Sequence, residues 1–261
     1  MSLKGRFDYY TRILNYLVEK ISPPYPTDII NVRINQKLFD YAVTNEGIKY
    51  RFHPMLNTVN QVFDDYVMDD IKKNDIVIDI GGCIGGFSLP ASRLSSHVFS
   101  VEPIFVDDIK DQIALNGIEN VTVIPDALGD GEVQEVCWMT ERVRIKTRSL
   151  TDLIKQAGRC DFLKCDCEGA EWNISAVELK KIRRIEMEIH DVGKPFSEML
   201  KRFESAGFSY YTHYPSDTSD DVIILHAINS ESPHDDLAGF IIKDRHKRRL
   251  GKENMLEITN S

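Results

Sequence analysis

The sequence predicts an α/β protein built on an open, mostly parallel sheet with one reversed strand at its edge. From residue 75 onward, short β-branched runs alternate with stretches of helical periodicity, the pattern of strand–helix–strand units. The first run, Ile76-Val77-Ile78-Asp79-Ile80, is apolar enough to be buried on both faces, as a central parallel strand requires. Near the other end, Tyr210–Tyr214 and Val222–Ala227 are joined only by the polar segment Pro215–Asp221. A parallel return needs a dozen or more residues, so this last pair must be antiparallel.

The first strand runs into Gly81-Gly82-Cys83-Ile84-Gly85-Gly86, and a helix begins near Phe87 with Leu89, Ala91 and Leu94 on its apolar side. His97–Val101 is the second strand, closed by Glu102-Pro103. The helix after it places Val106, Ile109 and Ile113 at spacings of three and four and stops at Asn116-Gly117. Val121–Ile124 is the third strand, residues 132–148 read as a hairpin-like excursion, and Ser149 or Thr151 caps a helix carrying Leu150, Leu153 and Ile154. Asp161–Cys165 and Ile185–His190 are the fourth and fifth strands, followed by a helix over 195–206.

The flanks differ. Phe7, Tyr10, Ile13, Leu14 and Leu17 form a helical stripe, and beyond Pro23, Pro24 and Pro26 the sequence predicts a hairpin of Asn31–Phe39 against Ile48–Phe52, turning at Asn45-Glu46-Gly47. The expected organisation is a helix-and-hairpin cap over 1–70, an α/β domain over 71–230 and a C-terminal extension over 231–261. Residues 243–252 hold six Lys or Arg against one Asp, read as a solvated tail, with an anionic partner or a folded terminal helix as the alternatives.

The 261 residues carry 41 Asp and Glu against 32 Lys and Arg, a formal charge of -9, which argues against bulk attraction to nucleic acid or anionic lipid. Apolar runs such as Val222–Leu225 fall far short of the roughly 20 residues of a bilayer helix, so no membrane span is expected. The basic start is interrupted by Asp8 with no apolar stretch behind it, and a cytoplasmic location is the expectation. Five cysteines, at 83, 137, 160, 165 and 167, have neither zinc-knuckle nor Cys-x-x-Cys spacing and are expected as reduced thiols.

The glycine cluster is the strongest local signal, because glycine lets backbone amides approach a ligand at a helix N-terminus. The dinucleotide fingerprint needs glycines at relative positions 1, 3 and 6, and no frame here supplies them. What fits is an acidic residue two before the first glycine, Asp79-Ile80-Gly81, with a further glycine at Gly85, the arrangement of the methyltransferase version of this sheet. Glu102, ending the second strand, can accept hydrogen bonds from both ribose hydroxyls, a position that a nicotinamide enzyme would use as well. Asp126 after the third strand can receive an adenine amino group, with turn capping as its rival role.

The segments V-I-D-I-G-G-C-I-G-G-F-S-L (77–89), V-F-S-V-E-P (98–103), L-N-G-I-E-N-V-T-V-I-P-D-A-L-G-D (115–130), T-R-S-L-T-D-L-I (147–154), F-L-K-C-D-C-E-G-A-E-W (162–172) and M-E-I-H (187–190) resemble, in this order, the FkbM family of S-adenosylmethionine-dependent methyltransferases. The most specific element is Asp166-x-Glu168-Gly169-x-Glu171. The resemblance implies a Rossmann-like class I methyltransferase fold of seven strands and methyl transfer, often to a hydroxyl of a sugar or natural product, with S-adenosylhomocysteine as the second product. One departure is Gly82-Cys83, where the family commonly shows Ala-Asn.

The resemblance directs attention to the ends of strands four and five. Asp166 is expected at the methionine end of the cofactor, and Glu168, Glu171, Glu188 and His190 are candidates for managing the proton. His190 is the preferred base, since an ordinary imidazole pKa of about 6.5 suits a proton acceptor near neutrality. Glu168 and Glu171 are its candidate partners in catalysis, although Glu171 reads equally as a helix N-terminal charge. The remaining histidines lack ligand spacing, and no metal site is expected. The expected acceptor is a small molecule or carbohydrate. A macromolecular acceptor (glycan, protein or RNA), a noncatalytic nucleotide-binding module and a homodimeric assembly stay open.

Overall fold

A computed structural model describes residues 29–35, 38–44, 46–138, 141–215, 221–229 and 255–259. The expected helix carrying Phe7–Leu17 and the basic segment 243–252 lie outside the described residues. The chain enters through an antiparallel meander of β1 (Ile29–Asn35), β2 (Leu38–Thr44) and β3 (Lys49–Tyr50). The run expected as one strand, Asn31–Phe39, is thus divided between two antiparallel strands, with Asn35 opposite Leu38. The expected turn at Gly47 is present, with φ 77° and its N–H bonded to the Thr44 carbonyl at 2.9 Å.

Helix α1 (Asn57–Asp65) leads to β4 (Ile76–Ile80), α2 (Ser88–Leu94), β5 (His97–Val101), α3 (Val106–Asn116) and β6 (Val121–Ile124). Gly117, at φ 61°, ends α3 in the left-handed conformation expected of Asn-Gly. Next come β7 (Ala127–Leu128), the hairpin β8 (Val133–Trp138) and β9 (Glu141–Arg148), and α4 (Leu150–Ala157), which Ser149 caps by accepting from the Asp152 N–H at 3.1 Å. The chain continues through β10 (Phe162–Cys165), a 3₁₀ turn (Ala170–Asn173), α5 (Ala176–Leu179), β11 (Arg184–His190), α6 (Phe196–Ser205), β12 (Phe208–His213), β13 (Val222–Asn229) and β14 (Met255–Thr259).

The main sheet has the order β6-β5-β4-β10-β11-β13-β12-β14, the first five strands parallel. Seven of these strands make the expected sheet. The reversed strand, β13, is not at the edge; it lies between β11 and β12, antiparallel to each. A short link fixes the relative direction of two strands but not which of them goes inside. Val222–Ile228 is buried along its whole length and takes the inner position, while β14 covers the outer edge of β12.

Strand alternation sorts the core. Ile78, Ile80, Leu163, Cys165, Ile185 and Met187 pack with α4 and α6 on one face. The opposite face carries a buried polar row: register places His226, Glu186, Lys164, Asp79 and Ser100 side by side across five strands. The residues before position 70 cover that face. Val62, Tyr66 and Met68 pack on Phe87 and Phe162, and the N–H groups of Lys49 in β3 and of Arg51 just after it are satisfied by Asn116 and Gln112 of α3 at 2.8 Å each.

Candidate active site

A cavity of about 900 Å³ opens at the carboxyl ends of β4, β5, β10 and β11, where open α/β sheets bind ligands, and its volume suits a small molecule. Thr58, Gln61 and Val62 of α1 wall one side; Gln134, Val136 and Ile145 of the β8–β9 hairpin wall the other.

At one end the backbone dominates. Gly81 has φ 77° and donates to the Val101 carbonyl at 2.9 Å. A Cβ there would sit 1.7 Å from the Asp166 carbonyl oxygen, so only glycine lets the ends of β4 and β10 meet. At Gly82 a Cβ would sit 2.2 Å from Ser100 Oγ, which explains why alanine does not stand here. The loop glycines are therefore demanded first by neighbouring protein atoms and not by a ligand, and Gly85 is packed against Leu89, off the cavity wall. Cys83, at φ 48°, donates its N–H to Glu102 Oε2 at 2.8 Å. Glu102 Oε1 accepts from Ile104 and Phe105 at 2.6 and 3.0 Å. Burial pushes the Glu102 carboxyl above its ordinary pKa, and the three amides oppose that rise. A carboxylate has about four lone-pair sites, which leaves Glu102 capacity for a ribose hydroxyl at the wall it lines.

Two expected cofactor contacts sit elsewhere. Asp79 is fully buried behind the loop, accepts from Ser88 Oγ at 2.5 Å and lies 3.5 Å from Lys164 Nζ. It fixes the start of α2 and does not reach the cavity. Asp126 turns onto Arg148 Nε at 2.5 Å, and Ala127 and Leu128 line the cavity in its place.

At the other end charged side chains from four segments converge. Lys164 lines the cavity floor, donates to the Gly81 carbonyl at 2.9 Å and lies 3.6 Å from Asp166 Oδ2. Burial alone would drive its ammonium toward neutrality, but the Asp166 and Asp79 charges outweigh it and keep the group protonated. Tyr66 donates to Glu188 Oε2 at 3.0 Å, with Asp166 Oδ2 at 3.2 Å from the same hydroxyl. His190 Nδ1 lies 3.2 Å from Glu171 Oε1, and its Nε2 lies 3.5 Å from Glu188 and 3.6 Å from Glu168.

This environment favours the protonated form of His190, the opposite of what a base needs. Burial would lower its pKa, but the Glu171 hydrogen bond and charge, with Glu188 and Asp166, push it up to about 9. An imidazolium at neutrality has no site for another proton. Glu188 goes the opposite way in role: burial first, then Asp166, push its carboxyl up to about 7, against the pull of His190 and Tyr66. Glu171 is fully buried, accepts from the His190 and Gly169 backbone N–H groups at 2.8 and 2.9 Å, and does not line the cavity. Glu168, at φ 56°, stands at the lip with its side chain 82% exposed.

Asp166, Glu168 and His190 offer atoms within 4.8 Å of one another. Within this group His190 Nε2 and Glu168 Oε2 lie 3.6 Å apart and pair with one another. Of the free thiols, Cys165 and Cys167 have sulfurs 3.5 Å apart, Cys167 on the cavity wall just beyond the end of β10. Sequence reasoning missed Tyr66 and Lys164. Lys164 had a signal, a lone cation in the apolar strand Phe-Leu-Lys-Cys; Tyr66 had none.

Residues 137–210 match the family model described as Methyltransferase FkbM domain. Among curated proteins, the probable ribosomal RNA small subunit methyltransferase A of Methanosphaera stadtmanae is 36% identical over 59 residues, 22% of each chain. The 23S rRNA (uracil(1939)-C(5))-methyltransferase RlmD of Klebsiella pneumoniae is 27% identical over 119 residues, 45% of this chain and 25% of that one. The chain thus spans a quarter or less of the length of these relatives. Among solved structures, a Methanococcus jannaschii fibrillarin pre-rRNA processing protein aligns with a TM-score of 0.47 at 17% identity, over 69% of this chain and 78% of the other. The segment matched by the Methyltransferase FkbM domain runs from the hairpin through Asp166-x-Glu168-Gly169-x-Glu171 to β12 and so contains the charged end of the cavity.

Proposed function

We propose that this protein transfers a methyl group from S-adenosylmethionine to a hydroxyl oxygen of a small molecule or sugar. The observation that carries this reading is one cavity bounded by Glu102 and the Gly81–Cys83 backbone at one end and by Glu188 at the other. The bound cofactor supplies an electrophilic methyl carbon on a sulfonium. Glu102 would hold the ribose hydroxyls, and Asp166, fixed by Lys164, would face the ammonium group of the amino-acid end. Glu188 would take the proton that an acceptor hydroxyl gives up on methylation, and the His190 cation beside it would offset its charge beforehand. The α1 and hairpin walls align the acceptor and exclude water, the main requirement of an in-line displacement.

A macromolecular acceptor is the second reading, favoured by the two ribosomal RNA methyltransferases among the relatives. The charge of the cavity speaks for a neutral acceptor: Asp65, Glu102, Asp166, Glu168 and Glu188 line it, and Lys164 is the one basic side chain among the described lining residues. A polyanion would meet like charge there. The test is thermal unfolding with S-adenosylhomocysteine and with NAD(H), followed by transfer of labelled methyl to hydroxyl compounds and to RNA. S-adenosylhomocysteine at 100 times its Kd adds about 2.7 kcal/mol; stabilisation by it and not by NAD(H) is expected. No stabilisation removes the donor assignment, and label appearing in RNA alone removes the small-molecule acceptor.

A further inference from the structure

We propose that the N-terminal segment supplies a positioning residue to the reaction: Tyr66, whose hydroxyl clamps the facing carboxylates of Glu188 and Asp166. This rests on the methyl-transfer reading above. Tyr66 lies outside the 137–210 match and follows α1 directly, its N–H bonded to the Val62 carbonyl at 3.0 Å. Its ring is packed edge-on against Phe87, 6.3 Å between centroids, with Lys164 Nζ 5.4 Å from its own centroid, and the next residue donates from Val67 N to Glu186 Oε2 at 3.0 Å. Only 6% of the residue is exposed, and it lines the cavity wall.

Burial, then the Asp166 and Glu188 charges, raise the Tyr66 pKa well above its ordinary value, so the phenol keeps its proton and cannot serve as base. It can serve as a rotor. While Glu188 is ionised, the Tyr66 O–H donates to it. When the acceptor's O–H bond breaks and a Glu188 O–H bond forms, that new O–H donates to the Tyr66 oxygen and the Tyr66 proton turns to Asp166. The tyrosine gains and loses nothing, and each oxygen retains a partner throughout. The clamp stabilises ionised Glu188, so it keeps the base available at neutral pH in a site where burial and Asp166 work against it.

The test follows the Glu188 carboxyl carbon by NMR in the full chain labelled with ¹³C-glutamate, assigned by its loss in E188Q, across pH 5 to 9. A hydrogen bond to a charged group is worth enough to move a titration by about one unit, so the Y66F midpoint is expected about one unit above that of wild type, with S-adenosylhomocysteine affinity within twofold. A merely structural tyrosine would lower the melting temperature and leave the midpoint in place. An unmoved or lowered midpoint overturns the proposal. Should Y66F not fold, the wild-type protein decides: the Tyr66 ring-carbon shift is expected to titrate with the Glu188 midpoint, and a flat Tyr66 profile overturns it. Neither measurement needs donor or acceptor, so failure of donor binding and failure of the clamp are read separately.

Discussion

The two ends of the cavity are built differently. The end at Gly81–Cys83 and Glu102 is held by backbone: two N–H groups reach the Val101 carbonyl, and three more converge on one carboxylate. The end at Asp166, Glu188 and His190 is held by side-chain charge, brought together from the residue after α1, β10, the turn after it and β11. The difference teaches where tolerance lies. Backbone geometry fails when a single atom is added, whereas a charge network shifts its protons and answers to pH.

The sharpest way to break the first end is G81A. Its Cβ would meet a main-chain oxygen at 1.7 Å, and that chain cannot retreat, because Asp166 N is bonded to the Ile80 carbonyl at 3.0 Å. A loss of about 4 kcal/mol or more in denaturant unfolding is expected; a loss below about 1 kcal/mol would show that the loop has slack. In the charge network, K164M leaves Asp79 buried beside no cation and should cost about 3–5 kcal/mol at neutral pH. Burial already raises the Asp79 pKa, and without Lys164 it rises further. A group raised on folding stabilises below its unfolded pKa and loses that contribution as pH rises, so the K164M deficit should shrink toward pH 4 and grow toward pH 8. A pH-independent deficit would point to lost packing alone.

E188Q should slow methyl transfer by about 10²–10⁴-fold and erase the kinetic titration near pH 7, with S-adenosylhomocysteine affinity intact. Retention of the limb would move the base elsewhere. His190 allows a milder comparison. Its pKa in the fold is about 9 against an ordinary 6.5, so its stabilisation is complete below about pH 6.5 and fades as pH climbs to about 9. H190Q is expected to flatten that decline, read as denaturation midpoints at pH 6, 7.5 and 9. The smallest effect belongs to the backbone end: C83N places a residue tolerant of left-handed geometry at φ 48° and should gain up to about 1 kcal/mol.

How much of this was legible follows the same division. Ile76–Ile80, the glycine run and Glu102 lie within 27 residues of sequence, and their strand–turn–helix order predicts a crevice at the strand ends, where the cavity lies. The Ser149 and Gly117 helix ends were equally local. The protonation of His190 was not. Taken by itself, His190 carries an imidazole's usual affinity for protons; Glu171, placed beneath it by a left-handed glycine at 169, changes that, and no spacing in the sequence reports the contact. Asp126 failed for the same reason, since Arg148 arrives from another strand.

The sequence by itself determined the parallel sheet, the direction of the last hairpin and the location of the crevice, because burial periodicity, link length and turn chemistry act between near neighbours along the chain. Only the tertiary structure decided that β13 lies inside, that Asp79 is shielded by Lys164, and that Tyr66 meets Glu188 across 122 residues of separation. Protonation and strand order depend on distances in space among groups far apart in sequence, and those distances come into being only when the chain has packed.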